Sequence, residues 1–354
     1  MAVELKAVEA ALDGVLLPQP KRSIAQLNMV RKIEISGDQV KLILALTPLD
    51  AHERDSLLKK VRSTVAAIPG VKEVVVEVVD IPPQEMNQFN RIVAVMSGKG
   101  GVGKSLVTSL LAVALAREGQ RVGILDADIT GPSIPKMFGL STRPVGSEHG
   151  MLPVETRSGI EVMSLNLLLT NEDDAVIWRG PILGKVITEF WQEVVWGKLD
   201  CLLIDLPPGT ADIPLTVMQL LPLSGVIIVS TPQNIAGMVV RKAIKMARGM
   251  DIPILGVVEN MSYLVIPGTG KKIELFGKSH GKEIARAADA PLLGQMPVDP
   301  LLAELCDQGE IERYDSEPFA ALSSSFIKAL DAASLPILKA PQACPARGFE
   351  KDTT

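Results

Sequence analysis

One segment constrains this chain more than any other, Gly98-Lys-Gly-Gly-Val-Gly-Lys-Ser105. Its spacing is GxxxxGK[ST], and its surroundings fit, with an apolar run from Ile92 to Met96 before it and the periodic run Leu106 to Ala116 after it. The glycines let the backbone curl until its N–H groups point inward at phosphate oxygens, and the helix that follows adds the positive end of its dipole. The expected cradle is Gly98, Lys99, Gly100, Gly101, Val102, Gly103, Lys104 and Ser105. Within it Lys104 is expected to reach the β and γ phosphates of ATP, and the Ser105 hydroxyl to ligate Mg²⁺.

A strand–loop–helix unit of this kind belongs in a sheet covered on both faces, and the rest of the chain agrees. From Arg91 onward, short and fully apolar runs alternate with longer helical segments, the pattern of buried parallel strands joined by crossover helices. The expected strands are Ile92 to Met96, Val122 to Leu125, Cys201 to Ile204, Val226 to Val229, Ile254 to Val258 and Leu292 to Gln295. The fold class is therefore α/β, a mostly parallel doubly wound sheet in which ligands sit beyond the carboxyl ends of the strands. A smaller α/β unit precedes it: helix Val3 to Leu12, strand Val30 to Ile35, a Gly37-Asp38 turn, strand Val40 to Leu46, helix Ala51 to Ala67 and strand Val71 to Val79. Between them Ile81-Pro-Pro-Gln-Glu-Met-Asn-Gln-Phe-Asn90 breaks both periodicities and suggests an extended linker. The expected organisation is residues 1–80, a linker 81–90, a nucleotide-binding unit 91–335 and a tail 336–354.

Two further strands end in carboxylates. Val122 to Leu125 leads into Asp126-Ala-Asp128, and Cys201 to Ile204 into Asp205-Leu-Pro-Pro-Gly209. Asp205 is expected in the Mg²⁺ shell, Asp126 to assist the metal or the fold, and Gly209 to be free to swing its N–H toward a γ phosphate.

The spelling GKGGVGKS resembles the deviant phosphate loop of the partition, septum-positioning, arsenite-pump and nitrogenase iron-protein ATPases. That resemblance implies a homodimer with ATP between subunits, in which Lys99 crosses to the partner's nucleotide and stabilises charge developing in phosphoryl transfer. It also implies that Asp128 orients the attacking water and that Asn260 contacts the adenine. More narrowly, Leu125-Asp-Ala-Asp-Ile-Thr-Gly-Pro-Ser-Ile-Pro135, Ile177-Trp-Arg-Gly-Pro181, Asp205-Leu-Pro-Pro-Gly-Thr210, Thr231-Pro-Gln233 and Val258-Glu-Asn-Met-Ser-Tyr263 resemble the Mrp/ApbC family of iron–sulfur cluster carrier ATPases. The first eighty residues resemble the iron–sulfur-assembly domain that often precedes such an ATPase. This implies a [4Fe-4S] cluster held between subunits and passed to apoprotein clients, with iron–sulfur assembly proteins as partners.

Thiolates are needed for such cargo. Where many relatives have a CPxC segment, this chain reads Val265-Ile-Pro-Gly-Thr-Gly270, with Ile266 and Thr269 at the cysteine positions. In the first unit Gln19-Pro-Lys21 and Thr47-Pro-Leu-Asp50 replace the usual acidic turn and the cysteine after Thr-x-Pro. The three cysteines fall elsewhere: Cys201 in a buried strand, Cys306 in an amphipathic segment and Cys344 in the tail. The iron–sulfur ligands are thus unassigned by sequence. Two functions stay open, an ATP-hydrolysing iron–sulfur carrier and a cluster-free scaffold ATPase that dimerises on ATP. A third, a positioning protein cycling on membrane or DNA, lacks its cue. The net charge is −5 with 36 Lys+Arg against 41 Asp+Glu. Phe319 to Leu330 carries only Lys328 and has the pattern of a core-packing helix. No apolar run has the length of a membrane span, and the acidic start lacks the layout of a signal peptide, so the expectation is a cytoplasmic protein without nucleic acid or membrane as partner.

Overall fold

A computed structural model of the chain describes residues 3–17, 22–46, 49–128, 131, 133–147, 150–168, 180–209 and 212–332. Gln19-Pro-Lys21, Thr47-Pro48, Ile129, Thr130, Pro132, Ile177-Trp-Arg179, Thr210 and Cys344 lie outside the described residues.

The first unit runs α1 (Leu5–Asp13), β1 (Val30–Ser36), β2 (Gln39–Ala45), α2 (Ala51–Ala66) and β3 (Glu73–Val79). Ser36 pairs with Gln39, so Gly37-Asp38 closes a two-residue hairpin, and Gly37 supplies the positive φ of 66° that such a turn needs. Strand β3 then joins β2 in parallel through α2, giving the order β1-β2-β3. Asp50 and Glu53 form a reciprocal capping box at the start of α2, which lays Leu57, Val61 and Val65 into a core shared with Val8 and Leu12 of α1 and with Val40, Leu42 and Leu44 of β2.

The stretch expected to be an extended linker is ordered secondary structure. Pro83 starts a single helical turn, α3 (Pro83–Met86), and Gln88 already lies in β4 (Gln88–Ser97). The physical reason is anchorage: Met86 is buried, and the Asn87 carboxamide accepts the Trp196 and Gly197 N–H groups at 2.7 and 3.1 Å while donating to the Val194 carbonyl at 2.8 Å. Proline at the first helical position fits because its ring fixes φ and no N–H is needed there.

The remaining chain continues α4 (Lys104–Arg117), β5 (Val122–Asp126), α5 (Ile134–Met137), β6 (Val145–Ser147), β7 (Gly150–Leu152), β8 (Val154–Glu155), β9 (Glu161–Ser164), α6 (Gly180–Glu193) and β10 (Lys198–Asp205). Then follow α7 (Asp212–Leu220), β11 (Gly225–Ser230), α8 (Asn234–Gly249), β12 (Ile254–Glu259), β13 (Leu264–Val265), β14 (Lys272–Ile273), α9 (Gly281–Ala288), β15 (Leu292–Gln295), α10 (Pro300–Asp307) and α11 (Glu317–Ala332). The large sheet has the order β15-β12-β11-β4-β10-β5-β9-β8, parallel throughout except for the edge strand β8. Period two divides β4 between the faces: Ile92, Ala94 and Met96 pack with α6 to α9, while Val93 and Val95 pack with α4, α10 and α11. Helix α11 buries Phe319, Leu322, Phe326 and Leu330, as its sequence pattern implies. The chain leaves β4 toward β5 on one side and returns through β10 to β11 on the other, so the loop after β4 sits where the strand order reverses, the place where sheets of this kind bind ligands.

Candidate nucleotide-binding site

Strand β4 ends at Ser97 and α4 begins at Lys104, and the six residues between them form the turn. Gly101 and Gly103 adopt φ of 76° and 77°, conformations a side chain resists. At Gly103 a Cβ would also lie 2.2 Å from Asn260 Nδ2. Asn260, reached through β12, donates that amide to the Val102 carbonyl at 2.9 Å and is itself buried. The asparagine thus braces the loop from the end of a strand two places away in the sheet. A cavity of about 300 Å³ opens in front of the loop, bounded also by Asp128, Gly131, Ser133, Met137 and Pro208.

Four of the expected groups meet in this cavity and just beneath its floor. Lys104 Nζ lies 2.7 Å from Asp205 Oδ2 and 3.5 Å from Asp128 Oδ2, and the Ser105 hydroxyl donates to Asp205 Oδ2 at 2.5 Å. Asp205 is fully buried and Lys104 only 5% exposed, so the pair is shielded from solvent and the attraction between them is weakly screened. Strand pairing sets this geometry, because Asp205 stands beside Asp126 in the β10–β5 register. Asp126 faces inward, accepting the Ser164 hydroxyl at 3.0 Å and the Asp128 N–H at 3.2 Å. Burial, then the neighbouring Asp205, pushes the Asp126 carboxyl well above the usual carboxylate range. Asp126 is therefore a strut that orients the Asp128 backbone and whose carboxyl holds a proton more tightly than an exposed one.

Lys99 projects differently. Its ammonium donates to the Gln233 side-chain oxygen, and its carbonyl accepts the Ser97 hydroxyl at 3.0 Å. Gly209 carries a φ of 92°, as a swinging glycine requires, but its N–H is engaged with the Ser97 carbonyl at 2.9 Å rather than free.

Several participants carry no sequence signal. The Thr108 hydroxyl, one helical turn beyond Lys104, sits 2.7 Å from Asp205 Oδ1 and fixes that carboxylate from the other side. Glu259, at the end of β12 beside Asn260, is fully buried. Burial pushes its carboxyl up, but hydrogen bonds from Ser262, Ser279, Gln295 and the His280 N–H outweigh this and hold it below the ordinary value.

The thiol chemistry of the described residues points away from metal ligation. Burial pushes Cys201 up to about 12, and burial then Asp307 push Cys306 up to about 11, so neither is a ready thiolate. Ile266 and Thr269 lie in the turn of the β13–β14 hairpin, and no cluster of three or more His, Cys, Asp or Glu side chains suited to a metal occurs among the described residues. No helix among them is long and apolar enough to cross a membrane.

The family described as NUBPL iron-transfer P-loop NTPase matches residues 88–331, and a family described as iron-sulfur cluster assembly protein matches residues 5–78. An iron-sulfur cluster carrier protein of Synechocystis is 39% identical over 316 residues, 86% of this chain and 89% of the relative. One of Clostridium perfringens is 46% identical over 237 residues, 65% of this chain and 83% of the relative. Among solved structures, a nucleotide-binding protein in complex with ADP from Archaeoglobus fulgidus is 47% identical over 65% of this chain and 91% of its own, with a TM-score of 0.58. By fold and by sequence, the chain belongs to the NUBPL iron-transfer P-loop NTPase family.

Proposed function

We propose that this chain hydrolyses ATP and, as a homodimer, carries iron–sulfur clusters to apoproteins. The observation that supports the catalytic half most directly is the convergence of Lys104, Ser105, Asp128 and Asp205 at the floor of the loop cavity. The carrier half draws on the relatives, two of which bear the name iron-sulfur cluster carrier protein, and on the assembly-type match over residues 5–78. Those names favour the carrier over a cluster-free scaffold.

The roles follow from chemistry. Loop N–H groups and Lys104 hold the β and γ phosphates, with the dipole of α4 behind them. Ser105 Oγ and Asp205 Oδ2 are hard oxygen donors placed together, a donor set that fits Mg²⁺, and Thr108 keeps the Asp205 carboxylate turned toward it. Bound there, Mg²⁺ neutralises charge on the phosphates. Asp128, held by Asp126 through its backbone N–H, orients the attacking water. Lys99 acts on the partner's nucleotide, where transition-state charge appears. Asn260, whose amide donates to the Val102 carbonyl at 2.9 Å, is assigned to the adenine on the family resemblance. The proposal sets the reaction in the cytoplasm, where thiols stay reduced.

The cargo fits the described residues poorly, since neither described cysteine is a ready thiolate and the CPxC positions hold Ile266 and Thr269. The test is iron and acid-labile sulfide per chain after purification without oxygen, for the wild type and Cys344→Ser, beside transfer to an apoprotein and ATP turnover. Bound cluster delivered to the apoprotein supports the carrier. ATP turnover with no cluster in either protein would sink the carrier half and leave the ATPase standing.

A further inference from the structure

Lys99 is the lysine that the phosphate cradle does not require, and the fold gives it a second contact. Strands β4 and β11 are neighbours, with Met96 beside Ile228 and Ser97 beside Val229, so the loops leaving their carboxyl ends run side by side. Gln233 lies three residues beyond β11, at the cap position before α8, and its side-chain oxygen accepts the Lys99 ammonium of the same chain. The Lys99 backbone is fixed separately through Ser97, so the side chain alone is committed to this contact. The nearby carboxylates are taken: Asp205 and Asp128 both face Lys104. Gln233 ends the Thr231-Pro-Gln motif, which the roles above leave unused.

The acceptor chemistry sets the strength of this hold. A neutral amide oxygen binds an ammonium by a charge-assisted hydrogen bond, weaker and less salt-sensitive than the ion pair a glutamate would make. We propose that Gln233 is the positioning residue of Lys99, holding it in its own chain so that the partner's nucleotide must compete with Gln233 for the lysine. The inference rests on the reading that Lys99 acts across a dimer. On this proposal the whole side chain turns from Gln233 to the partner's nucleotide, so the fraction of chains with a released Lys99 scales the apparent affinity of dimerisation.

The experiment measures ATP turnover against chain concentration at saturating Mg-ATP. For Gln233→Ala, the chain concentration giving half-maximal turnover is expected to fall roughly tenfold, with kcat at saturating chain and KM for Mg-ATP unchanged. For Gln233→Glu it rises, and added salt reverses the rise by screening the new ion pair. A merely structural role for Gln233 would lower the melting temperature without this opposite pair of shifts. A Gln233→Ala variant with lower kcat, or with an unaltered concentration dependence, would overturn the proposal. Mixing Lys99→Ala chains with Lys104→Ala chains separates the underlying reading. Here one subunit binds nucleotide and the other supplies Lys99, so restored turnover supports action across the dimer. Restored turnover beside an inert Gln233→Ala sinks only the Gln233 role, whereas no restoration sinks the cross-dimer reading itself.

Discussion

At the scale of single residues, the site is a balance of one buried lysine against three carboxylates. Burial beside Asp205 makes Asp126 harder to ionise than an exposed carboxyl, while Lys104 faces Asp205 at 2.7 Å and the partly buried Asp128 at 3.5 Å. Lys104→Ala therefore removes two things, the phosphate ligand and the counter-charge of a fully buried carboxylate. Breaking one side of such a pair costs about 3–5 kcal/mol. The expected outcome is loss of nucleotide binding by calorimetry together with a clear drop in melting temperature. Lys99→Ala should differ on both readouts, because its ammonium meets only a neutral amide. Nucleotide affinity and stability stay near wild type while turnover falls by about 10³-fold, the scale of a cation supplied to phosphoryl transfer from a partner. Equal loss of nucleotide binding in the two variants would refute the division of labour.

At the scale of elements, the phosphate loop is a turn held by its neighbour. Asn260, delivered by β12, closes the open side of Gly103 and satisfies the Val102 carbonyl. Gly103→Ala has to place a Cβ 2.2 Å from the Asn260 amide at a positive φ, so the loop must open; circular dichroism melts and nucleotide titration are both expected to record a loss. Asn260→Ala is milder: it leaves the Val102 carbonyl without this donor, which costs about 1–3 kcal/mol, and weakens nucleotide binding without abolishing it. Unchanged stability in the Asn260 variant would show that the brace carries no energy. The same elements show what sequence makes legible. Five strands of the large sheet could be read because both of their faces are buried along most of their length and they are largely apolar runs, and the sixth, the half-buried edge strand β15, from the apolar pair Leu292-Leu293. Strand β9 could not, because Glu161 and Ser164 bound it and are buried through partners distant in sequence, Arg22 and Asp126. The Lys99–Gln233 contact spans 134 residues and depends on strand order rather than on local pattern. The segment at 81–90 read as a linker because its prolines break periodicity, whereas the Asn87 side chain that pins it has no periodic signature.

At the scale of the whole molecule, the first unit is fastened to the large sheet at the amino-terminal ends of β9 and β10 by polar as well as apolar contacts. Val195 and Leu152 enter the core of the small sheet, Lys198 N–H donates to the Gln26 carbonyl at 2.9 Å, and Arg22 reaches across to Glu161 at 2.6 Å and to the Trp196 carbonyl at 3.1 Å. Arg22 and Glu161 are both nearly inaccessible to solvent. Burial pushes the Glu161 carboxyl up to about 8, outweighing the opposing pull of Arg22, with Glu155 across the strand pair adding to the rise and Arg121 opposing it. The consequence for stability has a definite sign. Below an unfolded-state value near 4.5 the carboxyl is protonated in both states. Between there and about 8 the folded protein keeps the proton and the unfolded chain has lost it, so the contribution of Glu161 to stability declines as pH rises and levels off above 8. The slope from one such group is at most about 1.4 kcal/mol per pH unit. Urea melts followed by tryptophan emission, with Trp196 at the joint, are expected to show wild-type stability falling from pH 5 to pH 8 more steeply than that of Glu161→Gln, whose amide does not titrate. Arg22→Met removes the cation that eases ionisation, so it is expected to extend the decline to higher pH. Parallel pH profiles for the wild type and Glu161→Gln would mean that the ionisation of this carboxyl is not coupled to folding.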